Sequence, residues 1–178
     1  MTKKLPEATR AKLLQATVQV ILQEGAINLT LDAVARESQV SKGGLLHHFP
    51  TKAKLLEGLS ELAADIWTQR LERELTRESE GTPGRWCRAY IRATFEREAI
   101  EADLINALSR VVSAYPHVFD DTYDKSWLIP DDNDGLPPGR AITIQLACDG
   151  LWLRELSGMP PIPEADIRLV YQELIKLT

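Results

Sequence analysis

Hydrophobic residues recur along most of the chain at the three- and four-residue spacing of amphipathic helices. The first such run covers residues 7–24, where Leu13, Val20 and Ile21 fall on one face and Gly25 supplies a stop. Further runs are predicted at 52–78, 83–98, 101–115, 140–157 and 164–177, with a shorter one around Phe119, Tyr123, Trp127 and Leu128. No stretch indicates a strand. With the two short helices between residues 30 and 50, the pattern predicts an all-α protein of about nine helices.

These two short helices are separated by a tight turn. Thr30 and Ser41 are of the residue types that cap helix N-termini, and each stands directly before one of the predicted helices. The turn is predicted at Gln39 and its successor, and Pro50 ends the second helix. Two short helices joined in this way are typical of a helix-turn-helix.

The second short helix contains two glycines, and the helix that follows it begins with lysines. Gly43 and Gly44 each cost about 1 kcal/mol relative to alanine inside a helix. Their presence is reasonable if a DNA backbone must approach the helix closely, and this approach is predicted above all at Gly44. Lys52 and Lys54 stand in a first helical turn, where cations are unfavourable unless an anion lies nearby. Together these features predict a DNA-binding helix-turn-helix.

The segment resembles the N-terminal DNA-binding domain of the TetR/AcrR family of bacterial transcription regulators. The family pattern is matched by Thr30, Ala35, Val40, Ser41, Gly43, Leu45, Phe49, Lys52 and Leu55. It is not matched at Gln39, where glycine is usual, which predicts mild backbone strain at the turn. Nor is it matched at Leu46, where tyrosine is usual, so one phosphate contact is predicted to pass to His47. The resemblance covers about the first 56 of the 178 residues, and the remainder fits the family in length and helical character.

The resemblance implies a DNA-binding domain at residues 1–52 and a helical effector-binding and dimerisation domain at 53–178. Residues predicted to contact DNA are Thr30, Ser41, Lys42, Gly43, Gly44, His47, His48 and Lys52. Of these, Lys42, Gly44 and His47 are expected nearest the bases of a major groove. Thr30, Ser41 and Lys52 are expected on phosphates.

The charge distribution agrees with a single DNA-binding end. The chain has a formal net charge of −5, but residues 1–54 hold eight Lys/Arg and four Asp/Glu, a net charge of +4. The remaining residues carry −9. Only one end is therefore suited to a polyanion. The second half of the helix predicted at 52–78 is rich in charge and is expected to face solvent.

Aromatic residues are concentrated after residue 60. They are ordinary core side chains in one interpretation, and in another some of them line a small-molecule cavity between helices. The family resemblance supports a cavity formed by the middle helices. The residues predicted to line it are Ala63, Ile66, Trp67, Trp86, Tyr90, Phe95, Leu104, Leu108 and Trp127.

The last two predicted helices are the expected dimer interface. One recognition helix reads only a few base pairs, so two DNA-binding heads about 34 Å apart are expected in a homodimer. The helix at 140–157 is apolar on most sides, which predicts burial in its own subunit and against a partner. Leu146, Leu151, Ile167, Val170 and Leu174 are predicted at this interface.

Other chemistries find little support in the sequence. The acidic loop at 130–139 fails the ligand spacing of an EF-hand and is expected to be solvated. There is no phosphate-binding loop, nucleophile elbow or zinc-ligand spacing, so neither enzymatic activity nor a metal or cofactor is predicted. Cys87 and Cys148 are expected to be buried structural thiols, with a redox switch as the alternative. The start of the chain is not signal-like and no apolar run reaches 18 residues, so a cytoplasmic protein without a membrane span is expected.

The sequence therefore predicts a homodimeric transcription regulator, a repressor that leaves its double-stranded operator DNA when a small-molecule effector binds. One alternative is a DNA-binding protein that responds to no ligand. The other is an all-α interaction or enzymatic protein in which the helix-turn-helix match is accidental.

Overall fold

A computed structural model describes residues 4–96, 99–115 and 132–178. Its α-helices are α1 (Lys4–Glu24), α2 (Leu31–Ser38), α3 (Lys42–His48), α4 (Lys52–Thr76), α5 (Arg85–Phe95), α6 (Ala99–Ala114), α7 (Arg140–Leu156) and α8 (Glu164–Lys176). A short 3₁₀ helix covers Asn133–Gly135, and the described ranges contain no strand. The all-α prediction is confirmed. The short helix predicted around Phe119, Tyr123, Trp127 and Leu128 lies outside the described residues.

The chain forms two compact units. Among the described residues, 4–63 and 100–115 make up the first unit, and 64–96, 99 and 132–178 make up the second. Helix α4 begins in the first unit and continues into the second. Within the described parts of the chain, no helix combines the length and apolar composition that a membrane crossing requires.

The core of the first unit joins α1 to the short helices that follow it. Side chains with almost no exposed surface come from α1, α2, α3 and α4, and they are Leu13, Leu14, Ile21, Val34, Leu45, Leu55 and Leu59. Helix α1 ends at Gly25, whose φ of +86° suits glycine better than any other residue. The apolar side chains predicted from the spacing thus pack the helix-turn-helix against α1 and α4.

The core of the second unit is built mainly from α5 and α7, with side chains from α4 and α8 packed against them. It includes Trp67, Leu71, Trp86, Cys87, Tyr90, Ile91, Ile144, Cys148 and Leu174. Helix α5 begins after Gly84, which has no capping side chain. The cap comes instead from the 3₁₀ segment, where Asp134 Oδ2 accepts a hydrogen bond from the Cys87 amide at 2.8 Å. The acidic loop predicted to be solvated is therefore attached to the core through this residue and through buried Leu136.

A buried ion network joins α4 to α5. Glu74, only 3% exposed, accepts from Arg92 Nε at 3.1 Å, and Glu78 accepts from Arg88 Nε at 2.8 Å and also contacts Arg92. Burial alone would raise the pKa of Glu78, but hydrogen bonds from the two guanidinium groups hold it below its ordinary value of 4.5. Arg70 is also buried and donates to the Ala93 carbonyl at 2.9 Å. The prediction that this half of the helix faces solvent holds for residues such as Glu72 and Arg73, which are exposed, but not for Arg70 and Glu74, which are buried.

Candidate nucleic-acid interface

The turn of the helix-turn-helix is fixed by hydrogen bonds between residues close in sequence. The Thr30 hydroxyl accepts from the Ala33 amide at 3.1 Å and so caps α2. At the other end of α2, Gln39 adopts the left-handed conformation, with φ 53° and ψ 29°. A non-glycine residue in this region is uncommon and costs roughly 1–2 kcal/mol. This agrees with the strain predicted at Gln39.

Helix α3 is capped in the same way and held by two apolar anchors. The Ser41 hydroxyl accepts from the Gly44 amide at 3.1 Å. Leu45 has no exposed surface and Phe49 is 3% exposed. These contacts orient the helix so that the opposite face is open to solvent. That face displays the side chains of Lys42, Leu46 and His47 and the open backbone at Gly43.

Leu46 is a feature that sequence reasoning missed. It was considered only as a missing tyrosine, yet its side chain is 39% exposed on the same face as His47. An apolar group at this position can meet a thymine methyl group in a major groove. Its signal in the sequence was the i, i+4 spacing from Lys42.

Lys42 has an acidic neighbour at the start of α2. Its Nζ lies 2.9 Å from Asp32 Oδ1, and both side chains are roughly two-thirds exposed, at 63% and 65%. Ion pairs this exposed contribute roughly 0–1 kcal/mol, so little free energy holds Lys42 on Asp32. The ammonium group is therefore available to another anion.

The two glycines of α3 have different surroundings. A Cβ atom built on Gly43 would meet nothing within 4 Å. A Cβ atom built on Gly44 would lie 3.0 Å from Val40 Cγ1 and 3.2 Å from Ser41 Oγ. Gly43 thus leaves an open backbone on the exposed face, whereas Gly44 makes room for the turn and the cap.

Lys52 is placed differently from the other predicted DNA contacts. Its Nζ donates to the carbonyl oxygens of Ala26 and Ile27 at 3.1 and 3.3 Å, and to the hydroxyl of Tyr115 at 2.9 Å. The phosphate contact predicted for Lys52 stays a prediction.

The two histidines of α3 contact each other: the rings of His47 and His48 are edge-on, with centroids 5.4 Å apart. Within the described part of the chain, no group of three His, Cys, Asp or Glu side chains could hold a metal ion.

The residues predicted for an effector pocket are divided between the two units. Trp67, Trp86 and Tyr90 are buried in the second unit, with Trp86 stacked on Tyr90 at 4.5 Å and Trp67 edge-on to it at 5.3 Å. Ile66 is half-buried, and Phe95 packs against the same core. Ala63, Leu104 and Leu108 belong to the first unit, and the last two are buried there. Trp127 lies outside the described residues.

Polar groups accompany the aromatic rings of the second unit. The Tyr90 hydroxyl donates to Asp149 Oδ1 at 2.5 Å, and Gln145 is buried on α7, the helix that carries Asp149.

The two cysteines of this core have raised pKa values. Burial raises the pKa of the Cys148 thiol to about 12. Burial also raises that of Cys87 to about 12, with a further contribution from the Asp134 carboxylate. Thiols with such pKa values are weak nucleophiles at neutral pH.

The residues predicted for a dimer interface differ in exposure. Leu146 is 63% exposed, whereas Leu151, Ile167 and Val170 are half-buried and Leu174 is buried in the core of its own unit. Sequence reasoning missed other apolar side chains that are open to solvent on α7 and α8, namely Ile142, Leu153 and Leu169 at 45%, 64% and 59%. Ile142, Leu146 and Leu153 recur at four- and seven-residue spacing along one side of α7, which we call the exposed apolar face, and Leu169 is exposed on α8.

Known proteins resemble this chain in sequence and in fold. The family described as bacterial regulatory proteins, tetR family, matches residues 13–59, and the tetracyclin repressor-like C-terminal domain matches residues 84–178. The transcriptional regulator BetI of Paraburkholderia phytofirmans is 29% identical over 92% of this chain and 90% of its own.

Two solved structures share the fold. A transcriptional regulator from Pseudomonas aeruginosa superimposes with a TM-score of 0.66 at 19% identity, covering 98% of this chain and 92% of that one. The multidrug-binding protein EbrR, crystallised with imidazole, gives a TM-score of 0.56 at 20% identity, covering 94% and 89%. The resemblance read from the helix-turn-helix is confirmed by the family models that match residues 13–59 and 84–178. The chain belongs to the TetR family of bacterial regulatory proteins and is a DNA-binding transcriptional regulator.

Proposed function

We propose that this regulator is a repressor that binds a double-stranded operator and is released from it by a small-molecule effector. The observation that carries the DNA-binding part is the open face of α3, held outward by buried Leu45 and Phe49. This face combines a cation, a backbone without side chain and an imidazole, all of which a major groove can accept. The protein acts in the cytoplasm, where operator DNA is accessible.

In the proposed complex α3 lies in the major groove. Lys42, Gly43, Gly44 and His47 are nearest the bases, and His48 stands at the edge of the groove. Thr30 and Ser41 cap the two helices from exposed positions, so their amide and hydroxyl groups can reach phosphates. Lysine can donate to guanine O6 and N7, which gives a reason for Lys42 at the start of the helix.

The repressor is proposed to act as a homodimer. Two copies of α3 about 34 Å apart would read two half-sites of one operator. The exposed apolar face of α7 supports a partner of the same kind, because large apolar side chains aligned along one side of a helix mark an interaction surface. Leu151, Ile167 and Val170 would lie at its border, where they are half-buried already.

The effector is proposed to bind within the second unit, in contact with some of Ile66, Trp67, Trp86, Tyr90 and Phe95. The aromatic residues among them offer apolar area, and the Tyr90–Asp149 pair offers polar groups. EbrR, which has a similar fold, is a multidrug-binding protein, and this supports a small molecule as the ligand. A coupling of about 1–3 kcal/mol between two ligands is typical of allosteric proteins, and we expect this range between effector and operator.

The DNA-binding proposal is tested by selecting duplexes from a random library with the purified protein. We expect one inverted-repeat sequence to be enriched. Lys42→Ala and His47→Ala should weaken binding to that duplex, each by roughly fivefold or more, as the loss of a base contact implies. Lys176→Ala, which removes an exposed lysine of α8, is the matched control and should bind normally. Unchanged affinity in both α3 variants would contradict the assignment.

The effector proposal is tested through reciprocity. A compound that raises the melting temperature of the protein is titrated with and without the selected duplex. If the compound weakens operator binding, operator must weaken binding of the compound by the same factor. Identical affinities in the two titrations would show that the compound is not an effector of this switch.

A further inference from the structure

The ammonium group of Lys52 donates hydrogen bonds to three oxygen atoms, all of them in the first unit. A lysine ammonium has three donors, and here three oxygens surround it, the carbonyls of Ala26 and Ile27 and the hydroxyl of Tyr115. The ammonium lies 5.0 Å from the centroid of the Tyr115 ring, on the side of its hydroxyl group. Lys42, with a side chain 63% exposed, has no comparable set of partners.

These partners explain a cation that is otherwise misplaced. Lys52 is the first residue of α4, where the helix dipole disfavours a positive charge. Two carbonyl oxygens and a hydroxyl oxygen offset this cost at short range. A phosphate could bind the Lys52 ammonium group only by replacing these oxygen atoms.

The loop that Lys52 holds leads directly into the helix-turn-helix. Ala26 and Ile27 stand between the end of α1 and Thr30, the residue that caps α2. Leu29, between them and the cap, is only 2% exposed, so the loop is short and anchored. A shift of the loop would therefore be passed on to α2 and α3.

Helix α6 secures the same region from a second point. Arg110 Nη1 donates to the carbonyls of Ile21 and Leu22 in the last turn of α1, at 3.2 and 2.7 Å. Tyr115 directly follows α6, and its amide still donates to the Val111 carbonyl at 2.7 Å. Both polar contacts thus connect α6 to the segment that begins the DNA-binding helices.

We infer that Lys52 and Tyr115 are positioning residues for DNA recognition, and that Lys52 acts by holding the loop at Ala26 and Ile27 instead of binding a phosphate. The inference rests on the proposed DNA-binding function. The loop then sets the orientation of α3, so removal of either side chain impairs sequence recognition without removing a DNA contact.

The test uses the duplex selected by the wild-type protein, a scrambled duplex of the same composition, and a series of salt concentrations. Lys52→Met removes the positive charge and keeps roughly the length of the side chain, and Tyr115→Phe removes only the hydroxyl oxygen. We expect each variant to bind the selected duplex about tenfold more weakly, a factor equivalent to about 1.4 kcal/mol. Affinity for the scrambled duplex and the slope of log affinity against log salt should stay as in the wild type.

Two further variants sharpen the result. The double variant should bind no more weakly than Lys52→Met, because both changes remove the same link. Lys52→Arg should restore most of the affinity, since a guanidinium group can donate to the same carbonyls. Circular dichroism confirms at the assay temperature that each variant is folded. If Lys52→Met does not fold, Tyr115→Phe alone decides the question.

The phosphate alternative predicts different results. Lys52→Met would then weaken binding to both duplexes and reduce the salt slope by about 0.9. Tyr115→Phe would bind as the wild type does. Either of these two results would overturn the positioning role. Failure of the wild-type protein to enrich any duplex would instead contradict the proposed function.

Discussion

Alanine substitutions at Gly43 and Gly44 should change the stability of the helix-turn-helix in opposite directions. The two residues are neighbours in α3, and neither has a positive φ. In a helix, alanine is favoured over glycine by roughly 0.8–1 kcal/mol, and this preference applies to both positions. The surroundings of the added methyl group therefore decide the difference between the two variants.

At Gly43 the methyl group enters open space, so the full helical preference is available. We expect Gly43→Ala to raise the free energy of unfolding by up to about 1 kcal/mol. At Gly44 the same atom would lie 3.0 Å from Val40 Cγ1 and 3.2 Å from the Ser41 hydroxyl. Relief of such crowding costs about 1–3 kcal/mol, and disturbance of the Ser41 cap costs about 0.5–2 kcal/mol more. Gly44→Ala should therefore be less stable than the wild type.

Leucine at the same positions separates folding from DNA binding. Gly43→Leu should fold, since its side chain projects into solvent, but it should obstruct the approach of a DNA backbone and weaken binding by more than tenfold. That result would place at Gly43 the close approach that the sequence predicts at Gly44. Gly44→Leu is expected to lose stability first, so its loss of binding carries no information about DNA contact.

Urea unfolding followed by circular dichroism gives the stabilities, at one protein concentration because association affects them. Fluorescence anisotropy with the selected duplex gives the affinities. Ser41→Ala is the control that removes the cap without crowding the turn. Two results would refute the reasoning: a Gly44→Ala variant more stable than Gly43→Ala, or a Gly43→Leu variant that binds DNA normally.

Three other predictions concern the second unit. The combined variant Leu146→Glu, Leu153→Glu should sediment as a monomer where the wild type sediments as a dimer, and a persistent dimer would contradict the proposed interface. Cys87 and Cys148, whose pKa values burial raises to about 12, should react with Ellman's reagent at pH 8 much more slowly in the native protein than after unfolding in urea; equal rates would show that they are accessible thiolates. The pKa of Glu78 is lowered in the folded protein, so its ion pairs stabilise the fold above pH 4.5, and this stabilisation is lost as the pH falls through the folded-state pKa. The difference in unfolding free energy between the wild type and Glu78→Gln should therefore shrink in acid. A difference independent of pH would contradict this.

The helix-turn-helix was predictable because its signals are local. A cap needs a hydroxyl or carboxylate oxygen three residues before the amide it accepts from, and Thr30 and Ser41 meet that condition in the sequence itself. The strain at Gln39 followed from the family pattern, which has glycine at the position that the structure shows in the left-handed region. Each of these inferences involves fewer than five consecutive residues.

Contacts distant in sequence were not predictable in this way. Lys52 is separated from Ala26 by 26 residues and from Tyr115 by 63, so no local pattern connects them. The burial of Glu74 depends on Arg92, 18 residues away. A charged residue at a helix position reads as exposed unless its partner is known, and the partner comes from another helix.

Helix α7 shows why the apolar pattern alone could not assign its faces. Apolar residues occur on most sides of it, so the sequence indicated burial without saying which side meets the helix's own unit. The structure turns Ala141, Ile144 and Cys148 inward and leaves Leu146 and Leu153 more than 60% exposed. Each leucine side chain left in water forgoes the roughly 1.5–3 kcal/mol that its burial would contribute. A second protein surface over these leucines would recover that free energy, which is why we propose that α7 packs against a second copy of the chain.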